Sequence, residues 1–335
     1  MPSEAGLPNL AEIQSAAQLV YRSMPATPQY TWPLLNRRAK AEVWIKHENH
    51  SPVGAFKVRG GIVYMDWLRR THPEIKTVVS ATRGNHGQSI AFAGAQVGIQ
   101  TVIVVPFGNS SEKNRAMRAL GAQLIEFGDD FQAAAEHAIA LAEQNNWHRV
   151  PSFGPHLVIG VATYALEMFS AAPVMETFYV PIGMGSSACG AIAARDALGL
   201  PTKIVGVVSS HAPATALSLD RGIVVEAEAR TAIADGVACR RPDSTALAIL
   251  KAGLDRIVLV DDDEVKEAMR SYFADTHNLA EGAGAIGLAA LLKDKRRGAS
   301  RVGTVLSGGN VDSDLFAEVL APPRALQTPV DQLQT

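Results

Sequence analysis

At 335 residues the chain is long enough for about two domains or one large α/β unit. Its 47% hydrophobic and 19% charged residues, with 28 Gly and 18 Pro, describe a globular chain with a large core and exclude a disordered or fibrous one. With 31 basic against 33 acidic side chains and a formal charge of -2, it has no overall electrostatic footprint for nucleic acid or an acidic membrane.

The two cysteines, Cys189 and Cys239, are too few for a disulfide framework and lack metal-ligand spacing, which fits a reducing compartment. The opening MPSEAGLPNLAEIQ has acids where a secretory signal would be basic, and no later stretch reaches the roughly 18 uninterrupted apolar residues of a membrane span. A soluble cytoplasmic protein is expected.

In chain order, the first segment with chemical content is GAFKVRGG (54–61), which sets Lys57 between Phe56 and Val58 with glycines on both sides. A solvated lysine in a turn is one reading. An apolar setting instead desolvates the ammonium and lowers its pKa, giving the neutral amine that a Schiff base requires, provided a matching cofactor cradle exists elsewhere.

From Thr77 onward, short β-branched runs alternate with longer Ala-rich segments, the pattern of a mostly parallel sheet with crossover helices. TVVSA (77–81) reads as a strand and precedes the turn SATRGNHGQS (80–89), which gathers Thr82, Arg83, Asn85, His86 and Gln88, and then the helix-like SIAFAGAQVG. Sheets of this class bind ligands at the carboxyl ends of strands, so the turn is a candidate binding loop. TVIVVP (101–106) leads into SEKNRAMRALG, whose Gly121 reads as a helix stop, and LIEFG leads into a long helix over 131–146.

A second series begins with the strand TFYVPIG (177–183), a Gly and Ser loop, the helix AIAARDALG and the strand KIVGVVS (203–209). In PIGMGSSACGAIAARDALG (181–199) a strand ends in glycines where a helix begins, so backbone N–H groups and the helix dipole favour a phosphate dianion. The hydroxyls of Ser186 and Ser187 can add donors. Gly183, Gly185 and Ala188 also satisfy the G-x-G-x-x-G/A pattern of dinucleotide folds, but the next strand ends in Ser209, Ser210 and His211, where the ribose-binding acid should stand. The last strand, VGTVLSGGN (302–310), ends in the polar Gly turn LSGGN, followed by one short helix and a polar, Pro-containing tail from Pro322.

The ordered set GAFKVRGG, ATRGNHGQ, GMGSSACG and SGGN resembles the fold-type II pyridoxal-phosphate enzymes, closest to the threonine and serine dehydratase branch, over about residues 10–320. The resemblance implies an α/β fold of the tryptophan synthase β type: two open, mostly parallel twisted sheets with flanking helices and the cofactor, pyridoxal 5'-phosphate, between the domains. The implied domains are a large cofactor-binding one from 1–53 and 149–321 and a small one from 54–148, with a polar tail at 322–335 and no C-terminal regulatory domain.

By the same resemblance, Lys57 would hold the cofactor as a Schiff base and act as base and acid at the substrate Cα. Asn85 would hydrogen-bond the ring oxygen, Phe56 would lie against the ring, and the run Gly183, Met184, Gly185, Ser186, Ser187, Ala188, Cys189, Gly190 would hold the phosphate. Ser307 would meet the pyridine nitrogen; a neutral serine does not keep that nitrogen protonated as an aspartate would, which favours elimination over transamination. Thr82, Arg83, Asn85 and His86 are the candidate substrate contacts. The implied activity is a dehydratase, or ammonia-lyase, that converts a threonine- or serine-type β-hydroxy amino acid to a 2-oxo acid and ammonia. The expected protein is a homodimer or homotetramer that takes a small amino acid and neither nucleic acid nor membrane.

Departures from the family pattern are Ala55 where Ser is usual, and Arg83 where a small residue is usual. The phosphate loop is poor in glycine, and GVAT (160–163) stands where the family has G-Q-G-T. In related racemases a serine at the position of Arg83 is the opposite-face acid and base, and arginine is a poor proton relay. Val208 and Ser209 stand where some relatives carry a metal-binding Glu, so no metal site is expected. The competing readings are a dehydratase of 3-hydroxyaspartate or a phenylserine-type substrate, an amino-acid racemase, a β-replacement enzyme, and a non-catalytic metabolite sensor.

Overall fold

Ten strands, among the described residues, separate into two sheets. A computed structural model describes residues 6–296 and 301–321; the expected polar tail at 322–335 lies outside them. The strands are β1 (Gln29–Thr31), β2 (Glu42–His47), β3 (Thr77–Ala81), β4 (Gln100–Val105), β5 (Gln123–Glu126), β6 (His148–Arg149), β7 (Thr177–Pro181), β8 (Lys203–Ser209), β9 (Arg256–Val260) and β10 (Arg301–Leu306). One sheet runs β1-β2-β10-β7-β8-β9 and the other β5-β4-β3-β6. Only β1 and β2 pair antiparallel. The expected two mostly parallel sheets with flanking helices are therefore present.

Parallel sheets covered on both faces demand continuous apolar strands. TFYVP of β7 meets that demand, with every residue buried. Chain order then decides where ligands can enter. In the larger sheet β8 and β9 extend to one side of β7 while β10 lies on the other; in the smaller, β4 and β5 extend to one side of β3 while β6 lies on the other. Each reversal opens a crevice outside the carboxyl ends of the strands. The segments after β3, β7 and β10 are the polar turns singled out in the sequence.

The helix Lys57–Thr71 packs against the helices Asn85–Val97 and Pro155–Ala171. This contact depends on missing side chains: a Cβ at Gly61 would lie 2.3 Å from Ser89 Oγ, and one at Gly160 would lie 2.3 Å from the Arg59 carbonyl oxygen. A buried polar cluster spans the same seam. Arg59 Nε donates to Glu48 Oε2 at 2.8 Å, Arg59 Nη1 to Glu167 Oε1 at 2.6 Å, and Lys46 Nζ to Glu167 Oε2 at 2.6 Å. Two cations thus face two anions, which is how ionised groups are kept in a dry interior.

Candidate active site

Lys57 is the first residue of its helix and not part of a turn. The preceding residues are fixed to the segment after β10: Ala55 bridges Gly308, and the Phe56 N–H donates to the Ser307 carbonyl at 3.0 Å. Residues far apart in sequence thereby meet. The Lys57 amine donates to Ser186 Oγ at 3.1 Å and lies 5.2 Å from the centroid of the Phe56 ring. Desolvation, with no compensating charge, lowers its pKa to about 8.

Ser186 opens the helix Ser186–Ala197 that follows β7, with Gly185 at φ +102° as its N-cap. That left-handed turn favours glycine. A Cβ at Gly183 would lie 2.7 Å from the Gly236 carbonyl oxygen, so the loop is also packed too closely for a side chain there. The two serine hydroxyls differ in use. Ser186 receives the lysine, whereas Ser187 Oγ shares a hydrogen bond of 2.9 Å with the buried Tyr164 hydroxyl. Cys189 N–H already donates to the Gly185 carbonyl at 2.9 Å, and Gly190 lies within the helix, where a Cβ would meet Ala162 N at 2.9 Å. The N–H groups of Gly185, Ser186, Ser187 and Ala188, at the N-cap and first turn, are the ones that a helix leaves open to an anion. Met184 Sδ accepts from Cys239 Sγ at 3.6 Å, and burial pushes the thiols of Cys189 and Cys239 up to about 12 and about 11, so neither thiol is ionised near neutral pH.

The helix Asn85–Val97 starts earlier than the sequence suggested, so Asn85, His86 and Gln88 stand on its first turn and not in a loop. Asn85 Nδ2 donates to Glu281 Oε1 at 2.5 Å, and Asn85 Oδ1 accepts from Asn310 Nδ2 at 2.8 Å. Ser307 is buried and its Oγ donates to the Ala283 carbonyl at 3.1 Å. Thr82 is buried, and its Oγ1 accepts from the Gly84 N–H at 3.1 Å within its own turn. Arg83 is exposed. The His86 ring is buried with Nε2 unpartnered, and desolvation, aided by the Lys57 charge, holds its pKa down to about 3, so it is neutral.

Sequence reasoning missed Glu281, Lys113 and Asp235. Glu281 is buried beside Asn85, and burial raises its carboxyl to about 7. Lys113 donates to Asp235 at 2.7 Å and lies 4.0 Å from Glu281. The one signal was an acid, Glu281, directly before the small-residue run GAGA, which reads equally as an ordinary helix start.

The donor set fits pyridoxal phosphate. A lysine amine without a counter-charge sits against a helix N-terminus whose first N–H groups are open to an anion, and an amide and a hydroxyl stand nearby on two other strand-end segments. A phosphate-bearing aldehyde asks for that combination.

Residues 22–308 match the family described as pyridoxal-phosphate dependent enzyme. The chain is 30% identical over 312 residues to the L-threonine ammonia-lyase of Thermotoga maritima, covering 93% of this chain and 78% of that protein. It is 32% identical over 297 residues to the biosynthetic L-threonine dehydratase IlvA of Haemophilus influenzae, covering 88% of this chain but only 58% of that longer relative. The crystal structure of serine racemase from Dictyostelium discoideum superposes with a TM-score of 0.82 at 28% identity, covering 91% of this chain and 99% of that one. The chain belongs to the pyridoxal-phosphate dependent enzyme family.

Proposed function

We propose that this chain is an ammonia-lyase that dehydrates a β-hydroxy amino acid of the threonine or serine type to a 2-oxo acid and ammonia. The observation that carries the reading is the Lys57 amine held against Ser186 at the open start of the helix Ser186–Ala197. In this reading Lys57 holds the cofactor, the N–H groups of Gly185, Ser186, Ser187 and Ala188 hold its phosphate, Asn85 faces its ring oxygen, and Ser307 faces its ring nitrogen. The bound cofactor supplies the electron sink that acidifies the substrate Cα–H.

Everything else is done by the chain. The Lys57 amine takes the Cα proton from its own face and is suited to it because a pKa of about 8 leaves a usable uncharged fraction near neutral pH. The Lys57 ammonium so formed would return that proton to the departing β-hydroxyl, which leaves as water, and the released enamine hydrolyses to the 2-oxo acid and ammonia. Ser307 is a neutral partner and does not fix a proton on the ring nitrogen, which favours elimination. Buried Phe56 and Tyr164 keep bulk water from the lysine side of the site. Arg83, exposed at the rim, binds a substrate carboxylate.

Racemisation is the second reading, supported by the likeness to a serine racemase. It needs an acid on the face opposite Lys57. Arg83 occupies the relevant turn position and is a poor proton donor at neutral pH, which favours the lyase reading. Within the same proposal, 54–148 forms the small domain around the four-stranded sheet, and 1–53 with 149–321 forms the large one. Two unpaired, buried cysteines support a reducing, cytoplasmic setting; the assembly proposed is a homodimer or homotetramer.

The test is a panel assay of ammonia and 2-oxo acid release over threonine, serine, 3-hydroxyaspartate and phenylserine. Equimolar release from threonine or serine is expected. Enantiomer interconversion without ammonia would replace the proposal with the racemase reading.

A further inference from the structure

The Asn85 carboxamide is held in one orientation by two side chains from distant parts of the sequence. Asn310 Nδ2 donates to Asn85 Oδ1 at 2.8 Å and to the Val53 carbonyl at 2.8 Å, so both Asn310 N–H groups are spent and the Asn85 oxygen is identified as the acceptor. The other end of Asn85 must then be its NH2 group. One of its two protons goes to Glu281 Oε1 at 2.5 Å, which leaves a single N–H free to point elsewhere.

Glu281 is built into this place. It is 3% exposed, and its second oxygen has no hydrogen-bond partner. It occupies the N-cap position of the helix Gly282–Lys293, yet its side chain makes no capping bond, so it does not serve the helix end. A Cβ at Gly308 would lie 2.2 Å from Glu281 Oε1, so the segment after β10 omits a side chain where the carboxylate enters. Lys113 supplies the nearby positive charge at 4.0 Å while bonding Asp235, and its stem crosses Gly84, where a Cβ would lie 2.6 Å from Lys113 Cδ.

We propose that Glu281 is a positioning residue: its Oε1 accepts a hydrogen bond from one Asn85 N–H and thereby aims the remaining Asn85 N–H at the ring oxygen of the bound cofactor. This rests on the reading that Asn85 faces that oxygen. The position of the acceptor oxygen is what matters, so Glu281→Gln retains the function, whereas Glu281→Asp withdraws the oxygen by one methylene and keeps the carboxyl group.

The experiment is a double-variant cycle on purified holoenzymes, read by the visible absorption band and by the rate of cofactor release on dialysis. Asn85→Ala and Glu281→Ala should each shift the band and speed release at least tenfold, and the double variant should be no worse than Asn85→Ala alone. Glu281→Gln should stay near the wild type in both readouts, with Glu281→Asp impaired. If Glu281→Ala does not fold, Glu281→Asp takes its place in the cycle. Multiplicative effects in the double variant, or a wild-type band and release rate in Glu281→Asp, overturn the positioning role. An Asn85→Ala enzyme with an unchanged band and release rate overturns the underlying reading of Asn85 instead.

Discussion

The Lys57 amine lies 3.1 Å from the Ser186 hydroxyl, a neutral partner contributed by a helix 129 residues further along the chain. A hydroxyl can accept from the amine but offers no opposing charge. Desolvation therefore wins, and the amine is easier to deprotonate than an exposed lysine.

That balance has a sign in the cofactor-free enzyme. The folded pKa of about 8 lies below the ordinary lysine value of 10.5, so between those two values the unfolded chain binds more protons and stability rises with pH. Below pH 8 the cost of the buried ammonium is present in full. Thermal unfolding of the apoenzyme, compared with Lys57→Met over pH 7 to 10.5, should show the wild type gaining on the variant as pH rises through this window. Parallel curves would mean that Lys57 is solvated.

Arg83 is exposed at the end of β3, next to the turn that leads to Asn85. A guanidinium there can grip a substrate carboxylate bidentately without taking part in proton transfer. Arg83→Ala should lower kcat/KM with the best substrate by tenfold or more, about 1.4 kcal/mol, and leave the cofactor spectrum unchanged. A loss confined to acidic substrates identifies a hydroxyaspartate-type side chain; an equal loss across the panel identifies the common α-carboxylate. Wild-type kinetics throughout would remove Arg83 from the site.

Ser307 Oγ donates to the Ala283 carbonyl at 3.1 Å in the cofactor-free chain; its hydroxyl can rotate to donate instead to the lone pair of a facing ring nitrogen, and it carries no charge that would hold that nitrogen protonated. Ser307→Asp introduces a carboxylate that holds a facing ring nitrogen protonated. Ammonia release should slow, and transamination or racemisation products should rise. An unchanged rate and product ratio would refute the contact.

The cluster of Lys46, Glu48, Arg59 and Glu167 is dry, and Glu167 bonds both cations. Removing that acid strands buried Lys46 without a counter-charge and leaves Arg59 paired with Glu48 alone, a change that costs on the order of 3–5 kcal/mol for buried pairs. Glu167→Ala should lower the denaturant midpoint accordingly, while Glu74→Ala, on an exposed side chain, should leave it within error.

Legibility followed the range of the interactions involved. β3, β7 and β8 and their polar turns were readable because β-branched runs, glycines and the helices after them are local signals. Antiparallel β1 and short β6 carried too few residues for a pattern. The start of the helix at Asn85 was hidden because Gly84 and Asn85 read as a turn, and the packing of Lys113 across Gly84, the N-cap, leaves no local signal. The partnership of Asn85 with Glu281 and Asn310 joins positions 196 and 225 residues apart, which no periodicity records. The different partners of the two serines were likewise unreadable: the Ser187 hydroxyl pairs with Tyr164, on a separate helix.

The most direct test of the account is to reduce the holoenzyme with borohydride and map the cofactor-bearing peptide by mass spectrometry. The account expects the label on Lys57 alone, in the peptide containing GAFK, and no stable label in Lys57→Ala. A cofactor found on Lys113, Lys46 or any other lysine would contradict it.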